Sequence, residues 1–303
     1  ACFLESVLKF SVSLDMGVEP KGILENRDYF TTASVSADGK LAVSGTRYAG
    51  LSVWDLERGQ LIRQFYGHTD TVTSVALSAH GKIMASASMD NSLRVWNVEN
   101  GLSIPENRAH NYQVESVCLA NDGGNAVSVS YDGYFNVWDI ESGDAISSFQ
   151  GHENEVNALC ITPDDKKIVS GDSDGSVKVW KLDDRSSIGG NSDLFTFKGH
   201  VYPVTSLSVT SDGNRVLSAC GENPSDLFDP QSILRLWDVK KGRYRTILEG
   251  HKNYVTAATI TTDGRLAVSG SYNELLLWDL QIGKCFRAFE SNTGWTSSIC
   301  ITP

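Results

Sequence analysis

A tryptophan returns along this chain at a nearly constant interval. LSVWDL (51–56), LRVWNV (93–98), FNVWDI (135–140), VKVWKL (177–182), LRLWDV (234–239) and LLLWDL (275–280) place Trp54, Trp96, Trp138, Trp180, Trp237 and Trp278 at steps of 42, 42, 42, 57 and 41 residues. Such a period means many copies of one small supersecondary unit, and a unit that small cannot bury both of its faces alone, so neighbours must stack. Each period holds short runs of alternating or continuous apolar residues, such as VNALCIT, KIVSGDS, SVKVWKL and AISSFQ, parted by turns such as SADG, PDDK, TSDG and TTDG. Four antiparallel strands per period are expected.

A histidine precedes five of the tryptophans: His68, His110, His152, His200 and His251. With a strand serine and a turn acid they give three regular sets: His68, Ser86, Asp90 and Trp96; His110, Ser128, Asp132 and Trp138; His152, Ser170, Asp174 and Trp180. His, Ser and Asp are the residue types of an acyl-transfer triad. A hydrolase, however, needs one reacting centre with a cleft and an oxyanion site, and a constellation repeated every 42 residues has no reason to be one. Nucleophile-elbow, phosphate-loop and zinc-protease motifs are absent from the sequence, and SIGGNS lacks the lysine of a phosphate cradle. We expect no catalytic residues, no cofactor and no metal. The six cysteines form no C-x-x-C pair and no repeating short spacing, which fits a reduced, intracellular protein, cytoplasmic or nuclear.

Through its Gly-His and Trp-Asp signatures the chain resembles the WD-repeat β-propeller family over essentially its whole length. The resemblance implies an all-β, seven-bladed β-propeller of four-stranded antiparallel blades, with residues 1–303 as one domain. It also implies that within each tetrad the indole N–H donates to the serine, the serine to histidine, and the second ring nitrogen to the acid. Two insertions break the period, DDRSSIGGNSD after Trp180 and GENPSDLFDPQS before Trp237. Without them the length is close to seven periods. SSICITP at the end aligns on NALCITP (157–163), the first strand of a blade, whereas CFLE, VLKFSVSLD and KGILE at the start read as the remaining three strands. The seventh blade is thus expected to be shared by the two termini, which removes the open edges.

Departures from regularity mark where function should lie. Asn26 and Asn292 stand at histidine positions of blades one and seven, and Tyr48 and Asn273 stand for the acid in blades one and six. Blades six, seven and one are therefore expected to lack the full tetrad. The same blades carry Tyr254, Trp295 and Tyr29 three residues past the histidine position. By family resemblance the face formed by the d–a and b–c connections adds Arg47, Tyr48 and Tyr272, with Tyr112, Tyr131, Tyr134 and Tyr202 extending it. Rigid amphipathic rings and arginine are enriched in recognition surfaces. A protein or peptide partner is expected on this face.

With 26 basic against 37 acidic residues, a net charge of -11 and no basic run, a nucleic-acid grip is not expected. No stretch approaches the length of a membrane span. The leading expectation is a non-enzymatic protein–protein interaction scaffold. One alternative is the sensing or autoinhibitory propeller of a larger NACHT-type NTPase, suggested by a chain that starts without Met inside a blade. Another is the substrate receptor of a ubiquitin ligase.

Overall fold

In a computed structural model the structure describes residues 29–301, except 104–106, 109, 122, 183–193 and 222–232. These residues form six antiparallel sheets of four strands, each in sequence order from one edge to the other. The chain divides into two compact units, residues 1–148 with 300–303, and residues 149–299.

In the first unit, β1 (Phe30–Val35), β2 (Leu41–Thr46), β3 (Leu51–Asp55) and β4 (Gln60–Phe65) make the first sheet. The second holds β5 (Val72–Leu77), β6 (Ile83–Ser88), β7 (Ser92–Asn97) and β8 (Asn107–Arg108); the third holds β9 (Val114–Leu119), β10 (Asn125–Ser130), β11 (Tyr134–Asp139) and β12 (Ala145–Gln150), where the unit boundary falls. In the second unit the fourth sheet is β13 (Val156–Ile161), β14 (Lys167–Asp172), β15 (Val177–Lys181) and β16 (Phe195–Phe197). The fifth is β17 (Val204–Val209), β18 (Arg215–Cys220), β19 (Leu234–Asp238) and β20 (Arg243–Leu248). The sixth is β21 (Ala257–Ile260), β22 (Leu266–Gly270), β23 (Tyr272–Asp279) and β24 (Lys284–Trp295).

The second and third strands of each sheet are buried nearly throughout, which their apolar runs demand, and the fourth is largely exposed where it ends the sheet. Apolar residues of successive sheets then interdigitate. In the first unit Val43, Leu51 and Val53 pack with Val72, Val75 and Met84, and in the second Leu217, Leu234 and Leu236 pack with Val255, Ala258 and Trp278. Beta-branched and leucine side chains fill these faces because they cover a pleated surface with little rotamer freedom to lose.

The first strand of every sheet is an edge, so its free amides and carbonyls need partners. In the second, third and sixth sheets serine and threonine supply them from the preceding sheet. In the first unit Thr31 donates to the Val72 carbonyl and Thr73 to that of Val114, while Ser34 and Ser74 accept from the amides of Leu77 and Val117 at 3.2 Å each. In the second unit Thr205 and Thr256 donate to the carbonyls of Val255 and Thr296, and Ser206 and Ser208 accept from Ala258 and Ile260 at 3.1 Å each. Sheet contact is close enough that a Cβ on Gly171 would lie 2.3 Å from Val204 Cγ1, and one on Gly270 would lie 2.6 Å from Thr296 Cγ2. Thr296 thus occupies, beside the sixth sheet, the place Val204 occupies beside the fourth.

Among the described residues the fourth strand of the second sheet is Asn107–Arg108, with Ser103 bridged to Trp96 ahead of it. Two expectations are modified. β24 runs to Trp295, a residue assigned from sequence to the entry of a seventh sheet, because Trp295 pairs across the ladder with Tyr272. Residues 296–301 carry no strand; a strand needs a hydrogen-bonded neighbour, and the segment expected to pair with them, CFLE, lies outside the described residues, as do VLKFSVSLD, KGILE, Asn26 and both insertions. Among the described residues no helix is long and apolar enough to cross a membrane.

Candidate functional site

The repeated histidines are held first. In every sheet the indole Nε1–H points at a serine on the second strand: Trp54 at Ser44 (3.0 Å), Trp96 at Ser86 (2.9 Å), Trp138 at Ser128 (2.9 Å), Trp180 at Ser170 (2.8 Å), Trp237 at Ser218 (2.6 Å) and Trp278 at Ser269 (2.7 Å). Those serines meet histidine Nε2 at 2.7 Å for His68, 2.8 Å for His110 and 2.7 Å for His152, and likewise for His200 and His251. Where a carboxylate lies at Nδ1 it can only accept, so Nδ1 carries the proton and Nε2 accepts from the serine. The hydroxyl donates to the imidazole as a triad serine would, but it also accepts the indole N–H and sits in a site under a tenth exposed, where no substrate carbonyl can reach it.

The acids differ from the sequence expectation in three sheets. Asp90 matches it, accepting from His68 Nδ1 at 2.9 Å. In the fourth sheet the acceptor is Asp172 at 2.7 Å, and Asp174 instead accepts from Asn154 at 2.6 Å. GDSDGS offers two aspartates two residues apart, and the strand-end one is the one drawn inside, where its other oxygen also takes the amides of Asp174 and Ser176. In the third sheet Asp132 acts on the His110 ring through space without bonding to it, and its Oδ1 takes the Tyr134 amide. In the sixth sheet Glu274, not Asn273, accepts from His251 Nδ1 at 2.9 Å, so this sheet keeps a full tetrad. The signal was a turn one residue shorter: serine and tryptophan stand nine apart there and ten apart in the second sheet. Asn273 takes the left-handed turn position at φ 55°, and the longer glutamate follows it inward.

Burial shapes the titration of these groups. It would raise Asp90 and Asp172, yet the hydrogen bonds from their histidines and from turn groups outweigh it and hold both carboxyls below the usual range. His110 is pushed down to about 4 by burial, which Asp132 only partly offsets. His200 falls to about 3 through burial and then the Arg235 charge; its Nδ1 has no partner among the described residues. Buried and bonded to serine through Nε2, the His110 and His200 rings are building elements.

The aromatic residues form two groups. In the second unit Trp295 stacks on Tyr254 with centroids 3.9 Å apart and planes 26° from parallel, and meets Tyr272 at 4.9 Å and 55°. The β23–β24 ladder and the Gly294 amide donating to Asn273 Oδ1 at 2.6 Å fix its approach. The side chain of Asn292 is not among those described. In the first unit Tyr29 and Tyr48 lie 6.3 Å apart, 56% and 66% exposed, with the Arg47 amide donating to the Tyr29 carbonyl at 2.8 Å. Tyr112, Tyr131 and Tyr134 are exposed on the same unit, as Tyr272 is on the second, where Tyr202 is half-buried.

Repeated four-stranded sheets, each closed by a Trp–Ser pair and five of them carrying the histidine, define a β-propeller of WD repeats. The family model "WD domain, G-beta repeat" matches residues 59–97, 103–139, 143–181, 191–238 and 242–279, more than half of the chain, and the chain belongs to this WD40 family. It is similar to small ribosomal subunit protein RACK1 of Caenorhabditis elegans, 33% identical over 97 residues, 31% of this chain and 30% of that protein. It is also similar to Autophagy-related protein 16 of Arabidopsis thaliana, 32% over 108 residues, 34% of this chain and 19% of that protein. COMPASS component SWD3 of Saccharomyces cerevisiae is 26% identical over 112 residues, 36% of this chain and 33% of that protein. The matches span at most about a third of the length of these curated relatives.

Proposed function

We propose that the chain is a non-enzymatic interaction scaffold, a single propeller that presents the aromatic face of its d–a and b–c loops to a protein or peptide partner. The observation that carries this reading is the Tyr254–Trp295–Tyr272 cluster at the β23–β24 strand ends, because large rings gathered together offer contact area at little entropic cost. Tyr29, Tyr48 and Arg47 offer the same chemistry on the first unit. The burial of the tetrad serines and their repetition in every described sheet support a structural role for the His-Ser-Asp sets.

Seven blades is the count we propose. Its support is the repeat period, the entry-like packing of Thr296 and the Cys300 thiol, which donates to the Ala33 carbonyl of β1 at 3.4 Å. Affinity purification with wild type and with Trp295→Ala/Tyr29→Ala, read by mass spectrometry, tests the function. A partner captured by wild type and lost from an equally stable variant is the expected result; retention of every partner by the variant contradicts it.

A further inference from the structure

The outer edge of the sixth sheet has features that the aromatic face does not explain. β24 ends the sheet order, so its far-side amides and carbonyls face no further strand of that sheet. At 12 residues it is the longest strand among the described residues. Residues 284–288 are exposed, Phe286 by 53%. A long edge with exposed apolar side chains is a template for an added strand unless something blunts it.

Lys284 and Arg287 decide what kind of strand can come. Neither is ion-paired among the described residues. Asp279, opposite Lys284 in the ladder, has turned its Oδ1 to the amides of Gln281 and Ile282, and Glu274, opposite Glu290, is committed to His251. The Arg287 guanidinium carbon lies 4.8 Å from the Phe289 ring centre, a cation–π contact that does not neutralise its charge. The turn at Gly283 packs on β20, where a Cβ would lie 3.2 Å from Thr246 Oγ1. This brings the turn beside the outer hairpin of the fifth sheet, which bears Lys240, Lys241, Arg243 and Arg245, all exposed and without an ion pair among the described residues. Six unneutralised cations thus gather on a protein of net charge -11.

We propose that the free edge of β24 accepts an extended acidic peptide of a partner protein as a fifth strand. Main-chain hydrogen bonds to β24 supply the pairing, and carboxylates on alternate residues of the peptide meet Lys284, Arg287 and the fifth-sheet cations. Basic segments are repelled, which gives the edge its selectivity. This inference stands whether or not the aromatic cluster binds a partner.

The test is fluorescence anisotropy on the full chain with a labelled peptide of about seven residues alternating glutamate and valine, near a typical strand length. The matching lysine–valine peptide and a glutamate–valine peptide N-methylated at alternate amides serve as comparisons. Saturable binding of the acidic peptide is expected, with at least about tenfold weaker binding of both comparisons and of the acidic peptide to Lys284→Glu/Arg287→Glu, whose side chains are exposed. Amide exchange at residues 285–288 slows on binding. Equal binding of the N-methylated peptide, unchanged binding by the charge-reversed variant, or no saturation by about 1 mM overturns the proposal. So does concentration-dependent protection of residues 285–288 without peptide, which assigns the edge to a second copy of the chain.

Discussion

Glu274 Oε2 accepts from His251 Nδ1 at 2.9 Å, one residue beyond the asparagine that a position-by-position alignment puts in the acid's place. The carboxylate comes from a different turn position because the turn is shorter, yet the imidazole finds the same partner chemistry. Glu274→Gln, which keeps an oxygen acceptor, should cost about 1 kcal/mol by denaturant titration. Glu274→Ala should cost about 2 kcal/mol, moderated by the Ser271 hydroxyl 3.1 Å from the same nitrogen. Asn273→Gly keeps the left-handed turn but removes the acceptor of the Gly294 amide, and should cost about 1 kcal/mol.

The fourth sheet separates two aspartates of one turn. Asp172→Ala removes the His152 acceptor and two amide partners, and should cost about 2–3 kcal/mol. Asp174→Ala loses only the exposed contact with Asn154 and should stay within about 0.5 kcal/mol. A larger loss for Asp174→Ala than for Asp172→Ala would place the acid where the sequence alone suggested.

Acid should destabilise this protein earlier than carboxylate titration alone would. His110 and His200 have folded pKa values depressed to about 4 and about 3, so the unfolded chain takes up their protons first. Their stabilisation is complete above an ordinary histidine value near 6.5 and declines as pH falls below it, by up to about 1.4 kcal/mol per pH unit for each ring, until the folded values are reached. Asp90 and Asp172, also depressed, add losses below about pH 4. Melting temperature measured from pH 8 to 4 should start to drop near 6.5, and a flat profile down to pH 5 would contradict the neutral burial of both rings.

The repeat, the four-strand unit and the Trp–Ser–His order were legible in the sequence because each rests on a fixed interval along strands, where side-chain direction follows from spacing. Of the acids only Asp90 was, because their positions depend on the length and course of the turn between the second and third strands. One deleted residue redirected Asn273 and Glu274, and two aspartates in GDSDGS were equally placed until the backbone chose Asp172. Trp295 was recognised as an exception, but its stacking on Tyr254 brings together residues 41 positions apart, and its membership of β24 depends on a bulged ladder that no periodicity announces. The approach of the β24 edge to β20 was equally hidden, since the Gly283 turn packs on Thr246, 37 positions earlier in the chain.

We propose that the regular tetrads hold the fold while the aromatic exceptions bind the partner. Melting temperature and partner capture measured side by side for His152→Ala and for Trp295→Ala/Tyr29→Ala separate the two roles. Expected are a lowered melting temperature with partner capture retained at temperatures where the first variant is folded, and an almost unchanged melting temperature with capture lost in the second. The opposite pattern, an aromatic variant that fails to fold and a histidine variant that is stable but no longer captures the partner, would contradict it.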